Sequence, residues 1–77
     1  MRQWLKDARV AKGLTMKQLA NELHISESYY CSIENGNRQR DMDLSLAEKI
    51  GSSLGIHIKK ILNLEADTRR KQSHSAE

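Results

Sequence analysis

Apolar residues recur every three or four positions along most of the chain, and this spacing predicts amphipathic α-helices. Short polar stretches containing Gly, Asn, Ser or Thr separate the apolar segments from one another. The predicted helices lie at about residues 3–12, 15–23, 26–35, 43–54 and 56–64. The pattern therefore predicts an all-α domain built from five helices, with no strand.

Residues with side-chain oxygens stand where three of these helices should begin. Thr15 is followed three positions later by Gln18, the spacing of a capping box. Ser26 and Asp43 are each suited to accept a hydrogen bond from the first turn of the helix that follows. These caps predict the starts of the second, third and fourth helices.

The apolar stripes also predict which side chains form the core. We expect the second and third helices to touch through the four residues Leu19, Ala20, Ile25 and Ile33. Tyr30 is expected in the core because its spacing to Ile33 points inward, and Leu44 and Leu62 are placed on the inward stripes of the last two helices. The domain is predicted to span residues 1–64, and the polar composition of residues 65–77 predicts a flexible tail.

Length and charge narrow the possible functions. The chain has 77 residues and a formal charge of +3, which leaves too little sequence for a cofactor-binding domain beside a second domain. No run of apolar residues is long enough to cross a membrane. Residues 1–40 hold seven basic and four acidic side chains, so the basic surplus falls in the first half and favours a polyanionic partner.

The remaining composition suggests no catalytic or metal chemistry. The single cysteine, Cys31, cannot form a disulfide within the chain, which is typical of a cytoplasmic protein. The three histidines lack the spacing of a zinc site, and no paired carboxylates share a helix face with a base. We therefore expect no enzymatic activity, no metal, no cofactor, no membrane association and no site for a small-molecule effector.

The second and third predicted helices are joined across His24 and Ile25, the short connection of a helix-turn-helix. Ala20 is small enough to let two such helices approach closely. The chain then resembles the phage-repressor family of helix-turn-helix proteins, which includes lambda repressor and Cro and is also called the xenobiotic-response-element family. The resemblance covers residues 3–64 and rests on LKDAR at 5–9, KGLT at 12–15, QLA at 18–20, ISESYY at 25–30, SIENG at 32–36 and the helix from Leu44 to Ile56.

That resemblance implies a five-helix bundle whose third helix enters the DNA major groove. The residues it implies for contact with bases are Glu27, Ser28, Tyr29 and Ser32. Those it implies for contact with the DNA backbone are Thr15, Lys17, Asn37, Arg38 and Arg40. Arg9 and Glu34 match a family pair that forms a structural ion pair between the first and third helices.

Three features depart from the family pattern. Met16 occupies a position where the family often has a glutamine that contacts DNA, and a thioether cannot make that contact. The loop after Gly36 is about two residues longer than the commonest form and lacks its proline, but it contains two arginines. The recognition helix contains no Lys or Arg, so electrostatic affinity must come from its flanks. Four of the implied contacts have a second interpretation: Glu27 as a carboxylate that complements the helix dipole, Tyr29 as a core residue, and Arg38 and Arg40 as solvated loop residues.

The sequence thus predicts a sequence-specific DNA-binding transcriptional regulator. Its size resembles that of small regulators of phages and other mobile elements and of restriction-modification systems, and the sequence does not choose among these. We expect a repressor that acts as a homodimer on a palindromic double-stranded operator, in the cytoplasm on the bacterial nucleoid. A small core is one reason to expect a second copy. The alternative is an antitoxin or other protein-interaction module that uses the same fold and whose polar tail folds on a partner.

Overall fold

The computed structural model describes residues 1–39 and 42–75, with side chains described through Thr68. Within this part the secondary structure is entirely helical, in agreement with the predicted class. The five helices are α1 (Gln3–Ala11), α2 (Met16–Glu22), α3 (Glu27–Asn35), α4 (Leu44–Leu54) and α5 (Ile58–Ser75).

Side-chain caps fix the starts of α2, α3 and α4, as the sequence predicts. The Thr15 hydroxyl accepts a hydrogen bond from the Gln18 amide at 3.1 Å, and the Gln18 side chain accepts one from the Thr15 amide at 2.8 Å. Ser26 and Asp43 each accept from the amide three residues later, at 3.1 Å in both cases. Gly36 ends α3 with a φ of 85°, a conformation that is unfavourable for residues with a Cβ atom.

The core lies where all five helices meet. Its largest fully buried apolar side chains are Leu5 from α1, Leu19 from α2, Tyr30 and Ile33 from α3, Ile50 from α4 and Ile61 from α5, together with Leu23 after α2. The predicted contact between α2 and α3 is confirmed, because Ala20 is also buried and Ile25 packs against the same cluster. The prediction that Tyr30 is a core residue is likewise confirmed.

Two predictions of inward-facing leucines are wrong. Leu44 is 58% exposed and Leu62 is 49% exposed. The first buried side chain of α4 is Leu46, and Leu44 lies in the first turn, two residues before it. Among the α5 side chains that the structure describes, Ile61 and Glu65 are buried, and Leu62 lies about 100° around the helix from Ile61.

The prediction that the fifth helix ends near residue 64 is also wrong, because α5 continues to Ser75. No Pro or Gly follows Gly55 to stop it. Glu65, the first residue of the predicted tail, is only 7% exposed because Arg2 and Trp4 bind its carboxylate. Glu65 is therefore a buried residue with hydrogen-bond partners, and its polarity does not mark the end of the packed part of the chain. The flexibility predicted for the rest of the tail stays a prediction.

The turn between α4 and α5 is tight, and Gly51 permits it. A Cβ atom at Gly51 would lie 2.6 Å from the carbonyl oxygen of Ile56 and 3.1 Å from Cδ1 of Ile61. The Gly51 carbonyl in turn accepts a hydrogen bond from the Ile56 amide at 2.9 Å. This close approach fixes where α5 starts and therefore where Glu65 meets α1.

Candidate DNA-binding surface

The turn between α2 and α3 is held by main-chain hydrogen bonds. The His24 amide donates to the Asn21 carbonyl at 3.2 Å, and the Ile25 amide donates to the Ala20 carbonyl at 3.0 Å. His24 itself has a φ of 59°, which is uncommon for a residue other than glycine. The turn changes the direction of the chain between Leu23 and Ser26, and α3 packs against α2 while it keeps one side at the surface.

Four residues on α3 are predicted to contact bases, and the structure places them differently. Glu27 and Ser28 are exposed, whereas Tyr29 and Ser32 are half-buried. The Ser32 hydroxyl donates to the Ser28 carbonyl at 3.2 Å, so its hydrogen is engaged and its oxygen remains able to accept. Glu27 lies in the first turn, where its carboxylate also complements the helix dipole, so both interpretations of this residue are compatible with its position.

Tyr29 bridges α3 and the loop that follows it. Its ring packs against the core, and its hydroxyl accepts a hydrogen bond from the Gln39 side-chain amide at 2.8 Å. A phenol that accepts one hydrogen bond still has an O–H group to donate. Tyr29 is therefore a fixed donor at the edge of α3, suited to a phosphate or base acceptor.

The opposite side of α3 is anchored by a buried ion pair, the one implied by the family resemblance. The Arg9 Nε atom donates to the Glu34 carboxylate at 3.0 Å, and the Tyr30 hydroxyl donates to the same carboxylate at 2.7 Å. The hydrogen bond to Glu34 raises the pKa of the Arg9 guanidinium. Burial, reinforced by the hydrogen bond to Glu34, raises the pKa of the Tyr30 phenol well above its usual value.

Arg9 also fixes the segment before α2. Its Nη1 atom donates to the Leu14 carbonyl at 2.8 Å, directly before the capping residue Thr15. One side chain therefore connects α1, α3 and the start of α2. The ion pair sets the relative positions of the two elements expected at the DNA and does not itself reach the surface.

The start of α2 presents two of the predicted backbone contacts. Thr15 and Lys17 are exposed, whereas Met16 is half-buried and packs against the core. The departure from the family pattern at position 16 thus has a structural explanation, because the thioether contributes packing where the family often has a DNA contact. Lys17 is the exposed cation at this end of the surface.

The loop after α3 presents the other predicted backbone contacts. Asn37 and Arg38 are exposed, and both of their amides donate to the Ser32 carbonyl, at 2.9 and 3.2 Å. The loop therefore turns back over the end of α3. Arg40, also predicted to contact the DNA backbone, lies outside the described residues.

Burial reduces the basic surplus of the first half of the chain. Arg2 and Arg9 are buried and paired with Glu65 and Glu34. Residues 1–39 contain six basic and four acidic side chains. They expose four cations, Lys6, Lys12, Lys17 and Arg38, against three acidic residues, Asp7, Glu22 and Glu27, so burial of Arg2 lowers the surplus from two to one. The surface charge available to a polyanion is smaller than the sequence count indicates.

The sequence analysis missed a buried network around Arg2. This side chain is bound by Glu65 and also contacts the loop after α3, and Gln39 in that loop connects to Tyr29. Arg2 and Glu65 lie 63 positions apart. No local spacing in the sequence indicates such a contact. The sequence shows only that Arg2 lies beside the apolar stripe of the first helix and that Glu65 continues the apolar stripe of the last helix.

Within the described residues, no group of three or more His, Cys, Asp or Glu lies close enough together to hold a metal ion. No helix there is both long and apolar enough to cross a membrane.

Comparison with known proteins agrees with this geometry. The profile of the family described as helix-turn-helix matches residues 5–61. An uncharacterized HTH-type transcriptional regulator of Bacillus subtilis (strain 168), YqaF, is 44% identical over 55 residues, which cover 71% of this chain and 70% of that protein.

The fold is similar to that of the clp gene regulator ClgR from Corynebacterium glutamicum. One crystal structure of ClgR matches with a TM-score of 0.70 and 25% identity, covering 83% of this chain and 80% of the other. A second matches with a TM-score of 0.73 and 24% identity, covering 94% and 74%. The chain belongs to the Cro-like helix-turn-helix family of transcriptional regulators.

Proposed function

We propose that this protein is a sequence-specific DNA-binding transcriptional regulator that inserts α3 into the major groove. The observation that carries the proposal is the two-sided character of α3. Ser28 is exposed and Ser32 half-exposed on one side, Tyr30 and Ile33 are buried on the other, and Glu27 is exposed in the first turn. An α-helix fits the major groove and reads bases through the side chains it exposes.

The exposed side of α3 offers mainly acceptors and hydroxyls. Glu27 is suited to accept from cytosine N4, and Ser28 can bond either a donor or an acceptor on a base edge. Ser32, whose hydrogen is engaged by the Ser28 carbonyl, acts as an acceptor. Tyr29 donates from the edge of the helix. With no Lys or Arg on α3, the site lacks the commonest contact to guanine.

Affinity for the DNA backbone is assigned to the two flanks. Thr15 and Lys17 at the start of α2 contact phosphates of one DNA strand, and Asn37, Arg38 and Arg40 in the loop after α3 contact phosphates of the other strand. These contacts position α3 without reading sequence. Replacing Arg38 with Ala should weaken binding to all duplexes alike and reduce the salt slope by about 1.

We further propose that the protein represses transcription as a homodimer on a palindromic operator. Two copies would place their α3 helices in successive major grooves, about 34 Å apart along the duplex. A domain of this size gains stability from a second copy because its own core is small. Occupancy of a promoter would then block polymerase without any ligand.

Selection of bound sequences from a pool of random duplexes tests the proposal. The expected result is one preferred site with two-fold symmetry, bound at a stoichiometry of two chains per duplex by light scattering. Recovery of no preferred sequence would contradict sequence-specific regulation. A preferred but asymmetric site bound by one chain would preserve DNA reading and contradict the homodimer.

A further inference from the structure

We infer that Arg2 is a positioning residue for DNA binding, which acts through Gln39 to hold both the loop after α3 and the phenol of Tyr29. This inference rests on the proposed DNA-binding function and assigns a role to a buried side chain far from the expected interface. The path runs from Glu65 on α5 to Arg2, from Arg2 to Gln39, and from Gln39 to Tyr29 on α3.

The first link is a buried ion pair between the two ends of the domain. Arg2 is 2% exposed, and its Nε atom lies 3.0 and 2.9 Å from the two carboxylate oxygens of Glu65. The Trp4 indole donates to the same carboxylate at 2.7 Å. The pair fixes the plane of the guanidinium group, because a planar group that is bound through its Nε atom has little rotational freedom left.

The second link joins that guanidinium to the loop. Arg2 Nη1 donates to the Ile33 carbonyl at 2.7 Å, in the last turn of α3, and to the Arg38 carbonyl at 3.1 Å. Arg2 Nη2 donates to the Gln39 carbonyl. One planar cation therefore binds the end of α3 and two successive carbonyls of the loop that carries Arg38. Lysine cannot reproduce this arrangement, since its single ammonium has no fixed fork.

The third link passes through the side chain of Gln39. Its amide nitrogen donates to the Tyr29 hydroxyl at 2.8 Å, and its amide oxygen accepts from the Asp43 amide at 3.1 Å. Gln39 has a φ of 55°, a left-handed conformation that residues with a Cβ atom rarely adopt. Such a conformation persists where its surroundings determine it, and here both its carbonyl and its side chain are bound.

The network thus fixes two features that the proposed interface needs at once. The backbone of Arg38 is held, which limits where its exposed side chain can reach. The acceptor side of the Tyr29 hydroxyl is occupied, which aims its hydrogen away from Gln39. Because Arg2 is buried and neutralised by Glu65, it contributes through geometry and not through its own charge at the DNA.

Two variants test the inference, each compared with wild type on the selected duplex. Arg2→Lys keeps the charge and loses the fork. Gln39→Asn suits the left-handed backbone better but is one methylene shorter, so it cannot keep both of its side-chain bonds. Ser52→Gly is the control, because a glycine at this exposed position of α4 lowers helix stability without touching the loop or Glu65. All measurements are made at a temperature where each variant is fully folded by circular dichroism.

We expect Arg2→Lys and Gln39→Asn each to weaken binding about tenfold, because a loop that is no longer held fails to keep Arg38 against a phosphate. Arg2→Lys should also lower the salt slope by about 1, as when one phosphate contact is lost. Ser52→Gly should lower stability and leave affinity and slope at the wild-type values. Affinity and slope unchanged in Arg2→Lys would overturn the inference and leave a purely structural role.

A second measurement separates failure of this inference from failure of the proposed function. In the free protein, amide exchange at Asp43 should become at least several-fold faster in Arg2→Lys and Gln39→Asn than global stability accounts for, and should not do so in Ser52→Gly. If wild type selects no duplex, the proposed function fails, and the exchange data still decide whether Arg2 holds the loop. Exchange that merely follows global stability in all three variants would overturn the inference.

Discussion

The carboxylate of Glu34 accepts several hydrogen bonds in the described core, and its removal should be costly. It accepts three hydrogen bonds, from Arg9 at 3.0 and 3.4 Å and from the Tyr30 hydroxyl at 2.7 Å. Its side chain is 2% exposed and that of Arg9 is 10% exposed. Glu34→Ala leaves a buried guanidinium and a buried phenol without their partner.

The size of this effect follows from burial. Breaking a buried pair by removing one partner costs about 3–5 kcal/mol. A chain of 77 residues has a total free energy of unfolding of about 4–12 kcal/mol. Glu34→Ala therefore removes a large part of the stability, and Tyr30→Phe is the milder variant. Loss of one hydrogen bond to a charged group should lower stability by about 1.5–3 kcal/mol.

Combining the two substitutions isolates the interaction. In the Glu34→Ala background the Tyr30 hydroxyl has already lost this partner, so Tyr30→Phe should cost about 0 kcal/mol there or stabilise slightly. Urea unfolding followed by Trp4 fluorescence and by circular dichroism measures all four proteins, since Trp4 is the sole tryptophan. An equal cost of Tyr30→Phe in both backgrounds would refute the reasoning, because it would show that the phenol does not act through Glu34.

Three further predictions concern pH, the turn and the helix junction. Folding raises the pKa of Tyr30, so its contribution to the free energy of unfolding is fully present below the unfolded pKa near 10 and is lost as the pH rises above it. The free energy of unfolding should therefore fall by up to about 1.4 kcal/mol per pH unit more steeply in wild type than in Tyr30→Phe. A denaturation series at pH 9–11.5 measures both slopes, and equal slopes would contradict the prediction. At His24, whose φ is 59°, Val should lower stability by about 1–2 kcal/mol and Gly should not, as melting curves will show; an equal effect of both would argue against strain at the turn. Gly51→Ala should lower stability by about 1–3 kcal/mol, because the new Cβ atom would approach a backbone carbonyl too closely, whereas Ser52→Ala at the exposed neighbour should change it little. Urea unfolding midpoints compare the two variants, and equal midpoints would contradict the tight junction.

Local features of this fold were predictable from the sequence because their causes are local. The caps at Thr15, Ser26 and Asp43 each act on an amide three residues away, and the turn at residues 24–25 follows from the distance between two such caps. Tyr30 could be placed in the core from its spacing to Ile33. Short-range hydrogen bonding and helical periodicity are enough to determine these features.

The errors arise where the determining contact is distant in sequence. The continuation of α5 depends on Glu65 meeting Arg2 and Trp4, which lie more than 60 positions away. The orientation of Leu44 depends on which face of α4 the other helices cover, and an apolar residue in the first turn fits more than one stripe. A sequence pattern alone does not determine such packing.

In the candidate site, too, features with local causes were predictable from the sequence and features that depend on distant contacts were not. Exposure of Glu27 and Ser28 agrees with the surface expected for a recognition helix. The partial burial of Tyr29 and its bond to Gln39 depend on a loop whose path the sequence does not indicate. The exposed basic surplus of the first half is smaller than the residue count predicts for a similar reason, because Arg2 is buried against Glu65 from the second half, whereas Arg9 and Glu34 remove one charge of each sign.

The central claim is that the exposed side of α3 reads bases while its flanks bind the DNA backbone. The most direct test compares Ser28→Ala with Lys17→Ala, each on the selected duplex and on a scrambled duplex of equal length. Ser28→Ala is predicted to lose about 1–3 kcal/mol on the selected duplex and almost nothing on the scrambled one, while Lys17→Ala weakens both alike. If Ser28→Ala leaves the ratio of the two affinities at its wild-type value, α3 does not read bases at this position, and the account is contradicted.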